Sequence, residues 1–174
     1  MGTLFDDINE IITEFNDYCM GNPEYFLSEA EIRNTLFRFL LDKLIHNGRY
    51  PNLYVGREYL VNSKPRVKYD IVIANSDKEL LAAFEIKYSY SNVKKLLNVL
   101  LDDIQRLDKY SGESCICYLL FYNNFEYYPE DDADKIQNIE LTPKINYQFV
   151  NLTQEKIKII QEKYMMDYTP SYRA

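Results

Sequence analysis

The sequence predicts an α/β fold in which helices pack on a central mixed sheet. Helical and strand periodicities alternate along 174 residues, a length that suits one domain over 1–174 rather than two. The stretch CICYLLFY, residues 115 to 122, is almost wholly apolar, as a strand covered on both faces must be.

Residues 4 to 19 place Leu4, Phe5, Ile8, Ile11, Ile12, Phe15 and Cys19 at three- and four-residue steps, the spacing of an amphipathic helix. Gly21-Asn22-Pro23 ends it. A second helix is expected from Ser28, where S-x-x-E through Glu31 forms a capping box, through Arg33, Leu36, Leu40 and Leu44 to Asn47-Gly48. Three strand-like stretches follow, at about 53 to 62, 66 to 74 and 80 to 90. Asn75-Ser76-Asp77 reads as a tight turn joining the last two as an antiparallel hairpin. Val93, Leu96, Leu97, Leu100, Ile104 and Leu107 set a third helix over 92 to 110, closed by Ser111-Gly112. After the apolar strand come a polar, acidic surface loop at 126 to 140, a strand near 145 to 151, a helix near 153 to 166 and the loose tail TPSYRA.

Hydrophobic residues make up 47% and charged residues 27%, ordinary globular usage, and no apolar run approaches the roughly 18 residues that cross a bilayer. A soluble protein with no membrane partner is expected. Asp6, Asp7, Glu10, Glu14 and Asp17 near the N-terminus fit neither a signal nor a transit peptide, so a cytoplasmic location is expected. Cys19, Cys115 and Cys117 are an odd number and form no C-x-x-C pair, which speaks against a disulfide framework and a cysteine zinc site. With His46 as the only histidine, a histidine-rich metal site is excluded and a Ser/His/Asp hydrolase disfavoured. Neither phosphate-cradling glycine motif is present.

The net charge of −7 argues at first against nucleic acid. From Glu29 to Lys68, however, Arg33, Arg38, Lys43, Arg49, Arg57, Lys64, Arg66 and Lys68 face only Glu29, Glu31, Asp42 and Glu58, a local surplus of four positive charges. The acidity lies in residues 6 to 24 and in Glu126, Glu130, Asp131, Asp132 and Asp134. Such a basic zone suits nucleic acid, and equally a solvated surface of mixed charge.

Chemistry concentrates on the hairpin. Side chains alternate across a strand, so Glu85 and Lys87 leave one face while Phe84, Ile86 and Tyr88 leave the other. Charged groups on so apolar a strand need a partner or a metal. Asp70 interrupts the run from Val67 to Ala74, and hairpin pairing puts it roughly opposite Glu85. Two convergent carboxylates repel unless a cation lies between them, and a hard divalent ion fits. The alternative is an ion pair of Lys87 with Glu85 or Asp70 at a sheet edge. Glu29 shares the helix face of Ile32, Leu36, Phe37, Leu40 and Leu44, whereas Glu31 points away and serves the cap. Glu29 is therefore either an acid in need of a partner or a complement to the helix dipole.

Asp70, fourteen intervening residues, and then Glu85-Ile86-Lys87, with an acid-bearing helix before and a helix and buried strand after, resemble the PD-(D/E)xK nuclease superfamily. The order of elements resembles that family's restriction-endonuclease-like αβββαβ core over about 28 to 122, with the N-terminal helix and C-terminal strand and helix appended. Tyr69 stands where the motif's name has proline. The resemblance implies a divalent-metal-dependent nuclease acting on phosphodiester bonds, in DNA rather than RNA, and a homodimer. Asp70 and Glu85 would hold Mg²⁺ or Mn²⁺, with the Ile86 carbonyl and Glu29 completing the ligands. Lys87 would position the attacking water and stabilise its hydroxide form. In the third helix, Asp102-Asp103-Ile104-Gln105-Arg106-Leu107 looks like segments of the family's corresponding helix. Gln105 and Arg106 are nucleic-acid-facing candidates there, against the reading of a solvated helix face. A second function class is a catalytically silent nuclease fold serving as a nucleic-acid- or protein-binding regulatory module, which the pI of about 4.8 favours. A third is an acidic surface that imitates nucleic acid.

Overall fold

Thr3 opens the first helix by accepting the Asp6 amide at 3.2 Å, while the Asp6 carboxylate accepts the Thr3 amide at 2.8 Å. In this computed structural model, which describes residues 2–26, 28–61, 67–89, 96–123, 139, 141 and 143–152, that helix is α1 (Leu4–Gly21). Ser28 caps α2 (Glu29–Leu40) by accepting the Glu31 amide at 3.3 Å, and its hydroxyl donates to the Glu31 carboxylate at 3.1 Å. A wider π-helical turn, Leu41–His46, carries the chain on from α2. Gly48, at φ 70°, leaves the helical path as only glycine does cheaply.

The strands are β1 (Tyr54–Val61), β2 (Val67–Ala74), β3 (Leu80–Ser89), β4 (Ile116–Asn123) and β5 (Ile145–Asn151), with α3 (Leu96–Tyr110) between β3 and β4. They lie in the order β1-β2-β3-β4-β5. The first two junctions are antiparallel and the last two parallel, so the sheet is mixed. The hairpin expected between β2 and β3 is present. Asn75 Oδ1 holds its turn by accepting the amides of Asp77 at 3.0 Å and Glu79 at 2.9 Å.

Each face of the sheet has its own core. Ile8, Phe15, Ile32, Leu36 and Leu40 from α1 and α2 pack on Ile71, Ile73, Phe84, Ile86, Tyr118 and Leu120. Leu100, Ile104 and Leu107 of α3 pack on Val72, Ala83, Leu119 and Phe121. β4 contributes alternate residues to both cores, which explains its unbroken apolar sequence. The fold is thus α/β, a five-stranded mixed sheet flanked by helices. Among the described residues no helix is long and apolar enough to cross a membrane.

The acidic segment at 126 to 140 apart from Ile139, the helix expected near 153 to 166, the TPSYRA tail and the part of the third helix before Leu96 lie outside the described residues. So do Lys64 and Arg66.

Phe84 is fully buried and stacks on Tyr118, with ring centroids 4.7 Å apart and planes 10° from parallel. Phe84→Ala is expected to cost about 3–5 kcal/mol of stability, measured as the shift in a urea unfolding midpoint.

Candidate functional site

The strand alternation of β2 breaks at Asp70. Val67 and Tyr69 pack on the α3 side, Ile71 and Ile73 on the opposite side, and Val72 on the α3 side again. The β1–β2 ladder skips the same point: Arg57 pairs with Ile71 and Tyr59 with Tyr69, with no pairing of Glu58 and Asp70. Glu58 sits there at φ 50°, in the left-handed region that side chains other than glycine's adopt at a cost. Released from the pleat, the Asp70 carboxylate reaches across to β3. Its Oδ2 accepts the Ile86 amide at 2.9 Å, and its Oδ1 meets Arg33 Nη1 of α2 at 3.1 Å. Arg33 in turn reaches Glu58 at 3.4 Å, and Lys68 reaches Glu58 at 3.1 Å.

β3 keeps the expected alternation, with Phe84 and Ile86 in the α1–α2 core and Glu85 and Lys87 on the α3 face. There they join Asp103 and Arg106 in a closed ring of alternating charge. Lys87 Nζ lies 3.0 Å from Glu85 Oε1 and 3.3 Å from Asp103 Oδ2. Arg106 Nη2 lies 2.5 Å from Glu85 Oε1 and 2.6 Å from Asp103 Oδ1. Leu100, Ile104 and Leu107 dock α3 on the sheet, and that same register turns Asp103 and Arg106 toward β3. Glu85 is 5% exposed and Asp103 4%. Burial of this degree is tolerated only because each carboxylate has cations against it.

Glu29 takes part in none of these pairs, yet lies within electrostatic reach of Lys87, Asp70, Arg33 and Asp103. The centre therefore gathers four carboxylates, Glu29, Asp70, Glu85 and Asp103, against three cations, Arg33, Lys87 and Arg106. Its electrostatics follow from burial and this imbalance. Burial, reinforced by Asp70, pushes the Glu85 carboxyl up to about 7 against the pull of Lys87 and Arg106. Burial likewise raises Asp103 and Glu29. Burial alone would lower the Lys87 ammonium, but Glu85 and Asp103 beside it outweigh that and hold it above the usual lysine range. Lys87 therefore stays charged near neutrality, a hydrogen-bond donor and a fixed positive charge rather than a base.

Asp70, Glu85, Ile86, Lys87 and Glu29 are thus brought to one place, and the Glu85–Lys87 ion pair set out as the alternative is present within it. Arg106 joins the centre. Gln105 does not: it is exposed and belongs to none of these pairs. Among the described residues of the basic zone from Glu29 to Lys68, most cations have side-chain partners within the fold. Lys43 pairs with Glu14, Arg49 with Asp7, and Lys68 and Arg33 with Glu58, while Arg57 bonds Asn34 and covers the Phe37 ring. Sequence reasoning missed Asp103 and Arg33. Both were within reach of helical spacing: Asp103 lies three residues after Leu100 and four before Leu107, and Arg33 lies four after Glu29.

Among the described residues no group of three or more His, Cys, Asp and Glu side chains is placed to hold a metal ion. A set of two carboxylates and one carbonyl remains. Glu85 Oε2 is buried and has no hydrogen-bond partner, an open position of the kind a hard cation takes. In a strand the amide and carbonyl of one residue face the same neighbour, so the Ile86 carbonyl shares the β2-facing edge with the amide that Asp70 binds. Carboxylate and carbonyl oxygens of this kind are the donors that hard Mg²⁺ or Mn²⁺ prefers.

A carboxyl that holds its proton more tightly folded than unfolded costs stability as it ionises. The Glu85 cost is absent below pH 4.5, accumulates between 4.5 and about 7, and is complete above that. Relative to Glu85→Gln, the wild type is expected to lose on the order of 3 kcal/mol across this window, by metal-free urea unfolding at a series of pH values. Parallel pH profiles for the two proteins would contradict the assignment.

Compared with known proteins, the chain matches no family model and no curated sequence.

Proposed function

We propose that this protein is a divalent-metal-dependent nuclease that hydrolyses phosphodiester bonds. The observation that carries the reading is the convergence of Asp70 and Glu85 beside Lys87, with Glu85 Oε2 buried and open. Asp70, Glu85 and the Ile86 carbonyl would hold Mg²⁺ or Mn²⁺, which when bound supplies positive charge against the phosphate as it gains negative charge. Lys87, held charged, donates a hydrogen bond to the attacking water and favours its hydroxide form. Glu29 is the proton acceptor, because it is half-buried, raised by that burial and outside the ion pairs. The water oxygen bonds to phosphorus, its proton passes to Glu29, and the P–O ester bond breaks, leaving a phosphate monoester and an alkoxide that solvent protonates. DNA as the substrate, a restriction-endonuclease-like core and action as a homodimer rest on the resemblance of Asp70 and Glu85-Ile86-Lys87 to the PD-(D/E)xK superfamily.

A second reading, a catalytically silent member of that fold used for binding, is favoured by one observation. The ring of Glu85, Lys87, Asp103 and Arg106 balances its own charges without a metal.

Titration of Mg²⁺ and of Mn²⁺ by calorimetry, beside a plasmid-cleavage assay, separates the two. Wild type is expected to bind the ion and nick DNA, and Asp70→Ala to lose both while remaining folded. Lys87→Ala is expected to keep metal binding and lose at least about 100-fold in rate, the scale of one electrostatic contact to a transition state. Neither binding nor cleavage in the wild type would sink the nuclease and leave the silent fold.

A further inference from the structure

Two cations already rest on Glu85 Oε1, and they are held differently. Lys87 comes from the same strand, and its side chain is only 17% exposed. Arg106 comes from α3, is 32% exposed, and keeps its Nε buried without a hydrogen-bond partner. Its Nη2 has a second anchor in Asp103 at 2.6 Å that does not depend on Glu85. A divalent ion entering at either oxygen of Glu85 would lie beside this guanidinium, and like charges so close repel.

We infer that Arg106 is a built-in competitor of the divalent cation, neutralising Glu85 in the metal-free protein and withdrawing onto Asp103 when the ion binds. The inference rests on the metal-site reading above and extends it to regulation of that site. A guanidinium released from one carboxylate and still tethered by another offers a planar fork of donors, the geometry that suits a phosphate. The same side chain would then serve first as a stand-in counter-ion and next as a contact to the substrate backbone. Asp103 is the switch's other pole: buried, and bonded to Arg106 whichever partner the guanidinium takes besides.

The test is Mn²⁺ titration of the full chain by calorimetry in wild type, Arg106→Gln, Arg106→Lys and Lys68→Gln, with plasmid nicking and thermal unfolding measured beside it. Arg106→Gln is expected to bind Mn²⁺ about tenfold or more tightly, yet to nick DNA more slowly. Arg106→Lys, which keeps the charge, stays near the wild-type affinity. Lys68→Gln removes a positive charge paired with Glu58 outside the ring and is expected to leave the affinity within about twofold. Should Arg106→Gln unfold, Arg106→Met, which keeps the side-chain bulk, carries the same expectation. Unchanged or weaker Mn²⁺ binding in folded Arg106→Gln or Arg106→Met, with wild-type binding lost in Glu85→Gln, overturns the inference and leaves the metal site standing. Equal tightening in Lys68→Gln overturns it too, because general charge would then explain the effect. No Mn²⁺ binding in the wild type overturns both.

Discussion

Everything around β3 depends on burying two carboxylates, Glu85 and Asp103, without leaving either charge alone. An isolated buried carboxylate is far costlier than the few kcal/mol by which a domain is stable, so both must be paired in the folded state. Lys87 and Arg106 provide that pairing, and they can do so only if α3 lies on β3 in one register. The apolar residues Leu100, Ile104 and Leu107 fix the distance, while the four charges fix the rotation. Slippage of α3 by one residue would carry Asp103 away from Lys87 and leave Glu85 with half its neutralisation.

The two helices that approach the centre divide the work. α2 delivers Arg33 to Asp70 and places Glu29 in the same electrostatic field, from the first turn behind its Ser28 cap. α3 delivers Asp103 and Arg106 to Glu85 and Lys87. Asp70 bridges the two halves, since one of its oxygens faces α2 and the other binds the backbone of β3. A residue that interrupts an apolar strand in sequence thereby acts as the junction of the site.

Much of this was legible from residue order alone, because the periodicities that place apolar side chains also place the exceptions to them. Glu85 and Lys87 stand out on a strand whose neighbours are apolar, and Asp70 stands out on the strand before it. What was not legible is the break in the pleat at Asp70, which falls opposite Glu58 of a different strand at φ 50°. No local pattern in residues 67 to 74 announces it. The pairing of Arg33, Lys43, Arg49 and Lys68 with acids distant in sequence was likewise hidden, so among the described residues four of the cations in that basic run are paired within the molecule. Asp103 was hidden for the opposite reason: it sits among other acids, and only its place between Leu100 and Leu107 marks it as inward-facing.

Glu58 has one further consequence. Among the described residues β1 ends the strand order, and the outer edge of such a strand carries amides and carbonyls on which another extended chain could add. The left-handed kink at Glu58 disturbs the straight run of those groups, and Arg57 and Glu58 set charge beside it. An incoming strand would meet a bent and charged template rather than a flat one. The residue opposite Asp70 thus also bends the outer strand, a feature of the kind that blunts edge-to-edge pairing, so relaxing that backbone would be expected to act on solubility as well as on the centre.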